Sequence, residues 1–179
     1  MPRIPRALVE EMLAHAREDL PNEACGVIHA KDGVPVAVHR VRNVAGDDGT
    51  GSPYRYLMDP MTQHRLEVRR DDEGETLFAI YHSHVASEAR PSPTDERQAF
   101  YPPGEPGKFD REPAYPGTWY ILVSLRDSTP NHVRAWRIEP GKPLAERPKV
   151  TEERITLPRA RRGRGRRSPA VARSRRLPT

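Results

Sequence analysis

The sequence feature that most constrains the fold is an apolar run at residues 76–83, Thr-Leu-Phe-Ala-Ile-Tyr-His-Ser. Apolar side chains occupy both odd and even positions until the run ends, whereas a strand with one solvated face alternates apolar and polar residues. The run therefore predicts a strand that is buried on both faces in the centre of a sheet. Residues 119–125, Trp-Tyr-Ile-Leu-Val-Ser-Leu, have the same character and predict a second central strand.

Helices and further strands are predicted around these two strands. Helical periodicity and start signals predict helices at residues 5–20, 60–72 and about 93–101. Further predicted strands are 23–30 and 34–41, joined by a turn at 31–33, a short strand at 54–58, and a last strand at 132–138. Residues 102–117 are rich in proline and glycine and predict a loop. This order predicts an α/β fold: a single domain, residues 1–158, with a mixed sheet flanked by helices.

The charge of the chain is unevenly distributed. Residues 159–179 contain nine arginines and no acidic residue, so subtracting nine from the net charge of +5 leaves −4 for residues 1–158. We interpret 159–179 as an Arg-rich, disordered tail. The alternative is non-specific contact with nucleic acid or an acidic partner. The negative charge of residues 1–158, which carry no nucleic-acid motif, argues against a nucleic-acid-binding domain.

The single cysteine, Cys25, excludes an intramolecular disulfide and a zinc site built from cysteines. The first residues include Glu10 and Glu11 and lack an uninterrupted apolar stretch, so they do not resemble a signal peptide. No run of about 18 apolar residues is present. We therefore expect a cytoplasmic protein with no membrane partner.

His82 and His84 stand at the end of the apolar run. Residues two apart on a strand project to the same face, so both imidazoles can reach one metal ion. The alternative is a pair of polar residues where a strand leaves the core. Ser92 and Asp95 follow, and in Ser-Pro-Thr-Asp they also fit a helix N-terminus. The two interpretations of Asp95 are compatible, because a carboxylate on the first turn of a rigid helix is a well-held ligand.

The four residues form the pattern H-x-H-x₇-S-x-x-D, which resembles the JAMM motif of the MPN/JAB1 metallopeptidases. Residues 21–26, Pro-Asn-Glu-Ala-Cys-Gly, look like the segment that carries the catalytic glutamate in that family. The resemblance covers about residues 5–140. It implies a JAB1/MPN-like domain with a mixed, mostly antiparallel sheet and a cytidine-deaminase-like layout.

The resemblance also implies roles for the motif residues. His82, His84 and Asp95 would bind one Zn²⁺ per chain, with water as the fourth ligand. Glu23 would be the general base and acid, and Ser92 would donate a hydrogen bond to the oxyanion of the substrate.

The resemblance suggests a class of substrate as well. Residues 80–93 look most like the bacterial branch that acts on sulfur-carrier proteins. The expected reaction is hydrolysis of an amide at the C-terminal tail of a small ubiquitin-like sulfur carrier, with release of cysteine. Alternatives are a deconjugase of lysine isopeptides, a non-catalytic MPN scaffold for protein–protein contacts, and a zinc hydrolase of small molecules.

Other residues that could carry chemistry have simpler interpretations. Cys25 fits a small buried hydrophobe, and a redox-sensitive neighbour of the metal is the alternative. Ser83 should face the opposite side of its strand from the two histidines. The remaining histidines lack partners at ligand spacing, and we interpret them as structural or exposed: His15, His29, His39, His64 and His132.

Overall fold

The computed structural model describes residues 1–46, 48–126 and 132–157. They form three helices and one six-stranded sheet. The helices are α1 (Arg6–Glu18), α2 (Pro60–Asp72) and α3 (Pro93–Gln98). The strands are β1 (Cys25–Lys31), β2 (Val34–Val41), β3 (Thr76–His84), β4 (Trp119–Ser124), β5 (Val133–Glu139) and β6 (Lys149–Glu153). The predicted boundary at Pro158 and the tail at 159–179 lie outside the described residues.

The sheet has the strand order β2-β1-β3-β4-β5-β6. Only the β3–β4 pair is parallel among these strands, and every other pair is antiparallel. The predicted α/β fold with a mixed, mostly antiparallel sheet is therefore confirmed. The two apolar runs form β3 and β4, the two central strands, as their burial on both faces requires.

Two hydrophobic clusters cover the two faces of the sheet. On one face, Met12 and Ala16 of α1 pack with Ile28, Tyr81 and other buried residues of the strands. On the other face, Leu66 of α2 and Phe100, just after α3, pack with side chains such as Val27, Ile80 and Leu122. The sheet is thus the middle layer of the domain. No described helix is long and apolar enough to cross a membrane.

The connection between β3 and β4 determines where polar groups meet. Because the two strands are parallel, the chain must return across the sheet, and it does so through α3 and the loop at 102–117. The N-terminus of α3 consequently lies beside the end of β3. The predicted loop is confirmed, since residues 102–117 contain no helix or strand.

Three details of the prediction are wrong. Residues 54–58 do not form a strand; only Met58 makes an isolated bridge, with Asn43. The helix expected at 93–101 ends at Gln98. The strand β6 was not predicted, because Lys-Val-Thr-Glu-Glu is largely charged and shows no buried face in sequence. It is an edge strand that pairs only with β5 among the described strands, a position where charged residues are common.

Several histidines that look isolated in sequence have neighbours in the fold. His15 Nδ1 lies 2.8 Å from the hydroxyl oxygen of Tyr81. His29 Nδ1 lies 3.2 Å from Glu75 Oε2, and the rings of His29 and His39 have centroids 4.4 Å apart. Sequence spacing did not indicate these contacts, because the partners come from different elements. His29 and His39 therefore have polar neighbours that their sequence spacing does not show, while the interpretation of His29 as a structural residue agrees with its burial.

Candidate active site

His82 and His84 lie at the C-terminal end of β3 and project to the same face of the sheet. Their Nε2 atoms are 3.2 Å apart, and both side chains are buried. Ser83 projects to the other face, where its hydroxyl oxygen accepts a hydrogen bond from the backbone N–H of Ala24 at 2.8 Å. The alternation predicted from sequence therefore holds for all three residues.

Asp95 brings a carboxylate to the two imidazoles. Its Oδ1 lies 3.5 Å from His82 Nε2, and its Oδ2 lies 3.5 Å from His84 Nε2. Asp95 is also the third residue of α3 in a capping box: its Oδ2 accepts from the backbone N–H of Ser92 at 2.6 Å. The Asp95 carboxylate thus caps the helix and faces the two imidazoles from the same position.

The donor set fits a zinc ion. One ligand atom from each of His82, His84 and Asp95 lies within 4.8 Å of the other two. Two imidazoles and one carboxylate are a common set for catalytic zinc, which keeps its fourth position for water or substrate. The three residues could therefore hold Zn²⁺.

Neighbouring groups orient both imidazole rings. His84 Nδ1 lies 2.6 Å from the backbone carbonyl oxygen of Glu88. A proton held on Nδ1 by that carbonyl leaves the lone pair of Nε2 for a metal ion. The ring of Tyr56 stacks on His82, with centroids 4.4 Å apart and planes 26° from parallel. Tyr56 was not singled out from sequence, because it lies in the segment interpreted as a short strand.

The charges in the site favour a cation between the rings. Burial opposes ionisation of Asp95, but the His82 charge and hydrogen bonds from His82, His84 and Ser92 hold the pKa of Asp95 well below its ordinary value. Burial likewise opposes protonation of His84, yet hydrogen bonds to Asp95 and to the Glu88 carbonyl raise its pKa. The same electrostatic field that attracts a proton attracts a metal ion.

Glu23 lies just before β1 and next to the metal-ligand candidates. The backbone N–H of Ser83 donates to the Ala24 carbonyl at 2.9 Å, which aligns the Glu23 segment with the end of β3. The side-chain amide of Asn43 donates to the Glu23 carbonyl at 2.9 Å. Glu23 is 5 % exposed. Burial raises the pKa of its carboxyl, although the nearby charges of His82 and His84 oppose that rise.

A carboxylate with a raised pKa is suited to taking up a proton and returning it. The sequence signal for Glu23 came only from the family resemblance. Asn43, which fixes the Glu23 backbone, carried no signal of its own.

Ser92 lies at the N-cap of α3. Its hydroxyl oxygen accepts a hydrogen bond from the backbone N–H of Asp95 at 3.2 Å. That bond uses an oxygen lone pair and does not use the hydroxyl proton, which can be donated to another group.

Cys25 faces the same side of the sheet as the site and pairs in register with His82. Its thiol donates to the Val41 carbonyl at 3.4 Å. Burial raises the pKa of Cys25 to about 12, so the thiol stays protonated at neutral pH. Because the thiolate is the reactive form, these facts favour a small buried hydrophobe over a redox-sensitive group.

Comparison with known proteins agrees with this geometry. A family model described as prokaryotic homologs of the JAB domain matches residues 5–139. The chain belongs to this JAB family. The match covers the elements that build the site, from α1 to β5, and confirms the resemblance drawn from the motif.

Relatives of this JAB-family protein have peptidase names. It is 34 % identical over 146 residues to the CysO-cysteine peptidase of Mycobacterium tuberculosis, covering 82 % of this chain and 88 % of that protein. It is 34 % identical over 96 residues to a probable TtuB-protein conjugate cleaving protease of Thermus thermophilus, covering 54 % of this chain and 62 % of that protein. These names indicate peptidase activity in the family.

A solved structure also resembles the JAB domain described here. The solution structure of a protein from Desulfitobacterium hafniense superposes with a TM-score of 0.66 at 30 % sequence identity. The superposition covers 88 % of this chain and 93 % of that chain. The two proteins therefore share the same fold over most of their length.

Proposed function

We propose that this protein is a zinc-dependent metallopeptidase. In this proposal it hydrolyses an amide at the C-terminus of a small ubiquitin-like sulfur-carrier protein and releases cysteine. The observation that carries the proposal is the group of buried His82, buried His84 and half-buried Asp95, with the carboxylate of Glu23 beside it. The similarity to a CysO-cysteine peptidase over 82 % of the chain supports the choice of substrate.

When bound, one zinc ion would act as a Lewis acid toward the scissile carbonyl and lower the pKa of water to about 7. His82, His84 and Asp95 would hold the ion in place. The Glu88 carbonyl keeps the proton of His84 on Nδ1, and stacking against Tyr56 limits rotation of the His82 ring.

Glu23 moves the proton in this mechanism. Its carboxylate accepts a proton from the attacking water as the new C–O bond forms. It then gives that proton to the leaving amine as the C–N bond breaks. The products are the free carboxylate of the carrier tail and the amine of cysteine. Ser92 donates its hydroxyl proton to the oxyanion that develops on the carbonyl oxygen.

The test uses a carrier protein with cysteine joined to its C-terminal glycine. Intact-mass spectrometry should show loss of one cysteine from the adduct with the zinc-loaded enzyme. E23Q should abolish the loss while zinc stays bound, because Glu23 is not a ligand. E88Q is the matched control, since only the backbone carbonyl of the exposed Glu88 contacts the site.

Three results would overturn the proposal. Absence of zinc from the purified protein, or full activity of E23Q, would refute the mechanism. An unchanged adduct mass beside cleavage of a lysine isopeptide would replace the cysteine-releasing reaction with deconjugation. The name of the Thermus thermophilus relative, a conjugate cleaving protease, is the specific reason to include that second substrate.

A further inference from the structure

A second group of metal-ligating side chains lies away from the candidate active site. His29 is on β1, His39 is on β2, and Glu75 directly precedes β3. Cys25, which pairs with His82, is four residues before His29 along β1, and four residues of a strand span about 13 Å. The group is therefore spatially separate from the candidate zinc site, although both lie on the same sheet.

The three side chains converge. One ligand atom from each lies within 4.8 Å of the other two. His29 Nδ1 is 3.2 Å from Glu75 Oε2, and the two imidazole rings are tilted by 54° with centroids 4.4 Å apart. His29 is 2 % exposed, and His39 and Glu75 are half-buried, so the group lies at the edge of the protein interior.

Within the described part of the chain, one ring nitrogen of His39 is left without a hydrogen bond, which points to a ligand at this group. Its Nε2 atom is buried and has no hydrogen-bond partner among the described residues. Buried polar atoms in folded proteins are nearly always paired, with protein, water or an ion. A cation bound by His39 Nε2, with His29 and Glu75 as its further ligands, would satisfy this nitrogen, because a metal ion takes the lone pair of a neutral imidazole.

Burial favours the neutral form of both imidazoles, because it lowers the pKa of His29 and the pKa of His39. The positive charges of Arg70 and Arg69 also lower these pKa values and oppose a bound cation, whereas the negative charge of Glu75 raises them and favours one. Glu75 provides the only carboxylate in the set, and the side chain of Arg69 is bound by Glu73 at 2.8 Å.

We propose that His29, His39 and Glu75 form a second site for a divalent transition-metal cation, with Zn²⁺ as the expected occupant. Two imidazoles and a carboxylate suit zinc and its neighbours better than Mg²⁺ or Ca²⁺, which prefer oxygen ligands. The ligands come from three adjacent segments. A bound ion would therefore fasten the edge strand β2 to β1 and to the start of β3, and its role would be structural.

The first experiment counts metal. The full chain is dialysed against Zn²⁺, and bound zinc per chain is measured by mass spectrometry of the metal. Wild type should bind two ions. H39Q and D95N should each bind one, and the double variant should bind none. H64Q is the matched control, because His64 is an exposed histidine on α2, and it should still bind two.

This design separates the second site from the proposed function. One ion that is lost in H39Q but kept in D95N would contradict the active-site zinc and support the second site. One ion that is lost in D95N but kept in H39Q would overturn the second site.

The second experiment measures stabilisation. In the D95N background, Zn²⁺ at 100 times its dissociation constant should raise the folded-to-unfolded ratio about 100-fold, because it binds only the folded state. The rise in Tm should disappear in D95N/H39Q and in D95N/E75Q. E75Q keeps the size and shape of the side chain, so it tests the site even if H39Q folds poorly. A zinc-dependent rise in Tm that survives in D95N/E75Q would refute Glu75 as a ligand and overturn the site.

Discussion

Replacing Arg147 with methionine removes the cation that binds the residue next to Asp95. The guanidinium of Arg147 donates two hydrogen bonds to the carboxylate of Glu96, and the bond from Nε to Oε2 is 2.8 Å long. The side chain of Glu96 is 2 % exposed and that of Arg147 is 56 % exposed. R147M therefore leaves a carboxylate buried without its partner on the helix that presents Asp95.

The size of the effect follows from this asymmetric burial. Removing one partner of a fully buried ion pair costs about 3–5 kcal/mol. Water reaches Arg147, which weakens the pair, so we expect R147M to lower the free energy of unfolding by about 1–3 kcal/mol, the cost of one buried polar group left unpaired. In a domain of this size a loss of about 2 kcal/mol lowers Tm by about 4–8 °C.

Urea unfolding of wild type, R147M, E96Q and the double variant measures the coupling between the two side chains. The double variant should be more stable than R147M, since E96Q removes the buried charge. The affinity for zinc should fall in R147M, because α3 is less firmly held. K149M is the control: Lys149 binds Glu139 on the surface, and such pairs contribute about 0–1 kcal/mol. Equal stability of R147M and wild type would refute the reasoning.

Substitutions at three further positions probe the site and the sheet beneath it. G26A should lower stability by about 1–3 kcal/mol in urea unfolding, because a Cβ at Gly26 would lie 2.3 Å from the carbonyl oxygen of His39 and 2.6 Å from the Tyr81 ring. Y56L should lower kcat more than Y56F, since phenylalanine keeps the stack on the adjacent imidazole. S92G should lose about 10²–10³-fold in kcat and only a few tenths of a kcal/mol of stability, whereas S92A should lose as much activity and also about 1 kcal/mol of stability.

Each of these expectations has an opposing result. Wild-type stability of G26A would mean that β2 moves away from β1 without cost. Equal kcat values for Y56L and Y56F would show that the aromatic stack does not orient His82. Full activity of S92G would remove the Ser92 hydroxyl from the mechanism, and S92T serves as its control because threonine keeps both the cap and the hydroxyl.

The sequence predicted those parts of the fold that depend on local pattern. The run at 76–83 predicted a central strand because a strand buried on both faces has apolar residues at odd and even positions. The helix at 60–72 was predicted from Asp59-Pro60, which is typical of a helix N-terminus. In the structure Asp59 accepts from the backbone N–H of Met61. The strand β6 was missed because its pairing with β5 comes from the fold and not from its own charged residues.

In the candidate site, too, the sequence indicated the residues that are close along the chain and missed those that come from distant segments. The fixed spacing of His82, His84, Ser92 and Asp95 was visible in sequence because the four residues lie on one strand and the helix that follows it. Tyr56 and Asn43 were not visible, since each reaches the site from a distant segment. His29 and His39 were not visible as a pair for the same reason, because they meet only when β1 and β2 form their hairpin.

The carboxylate of Asp95 can cap the N-terminus of α3 and still be available as a metal ligand. Its Oδ2 accepts from the Ser92 N–H and is the same atom that lies 3.5 Å from His84, while Oδ1 faces His82. The cap thus fixes the carboxylate before any ion binds, so little side-chain entropy is lost on binding. D95N keeps an oxygen for the cap but removes the charge. Its loss of zinc affinity should therefore far exceed its loss of stability, which separates the two roles of one side chain.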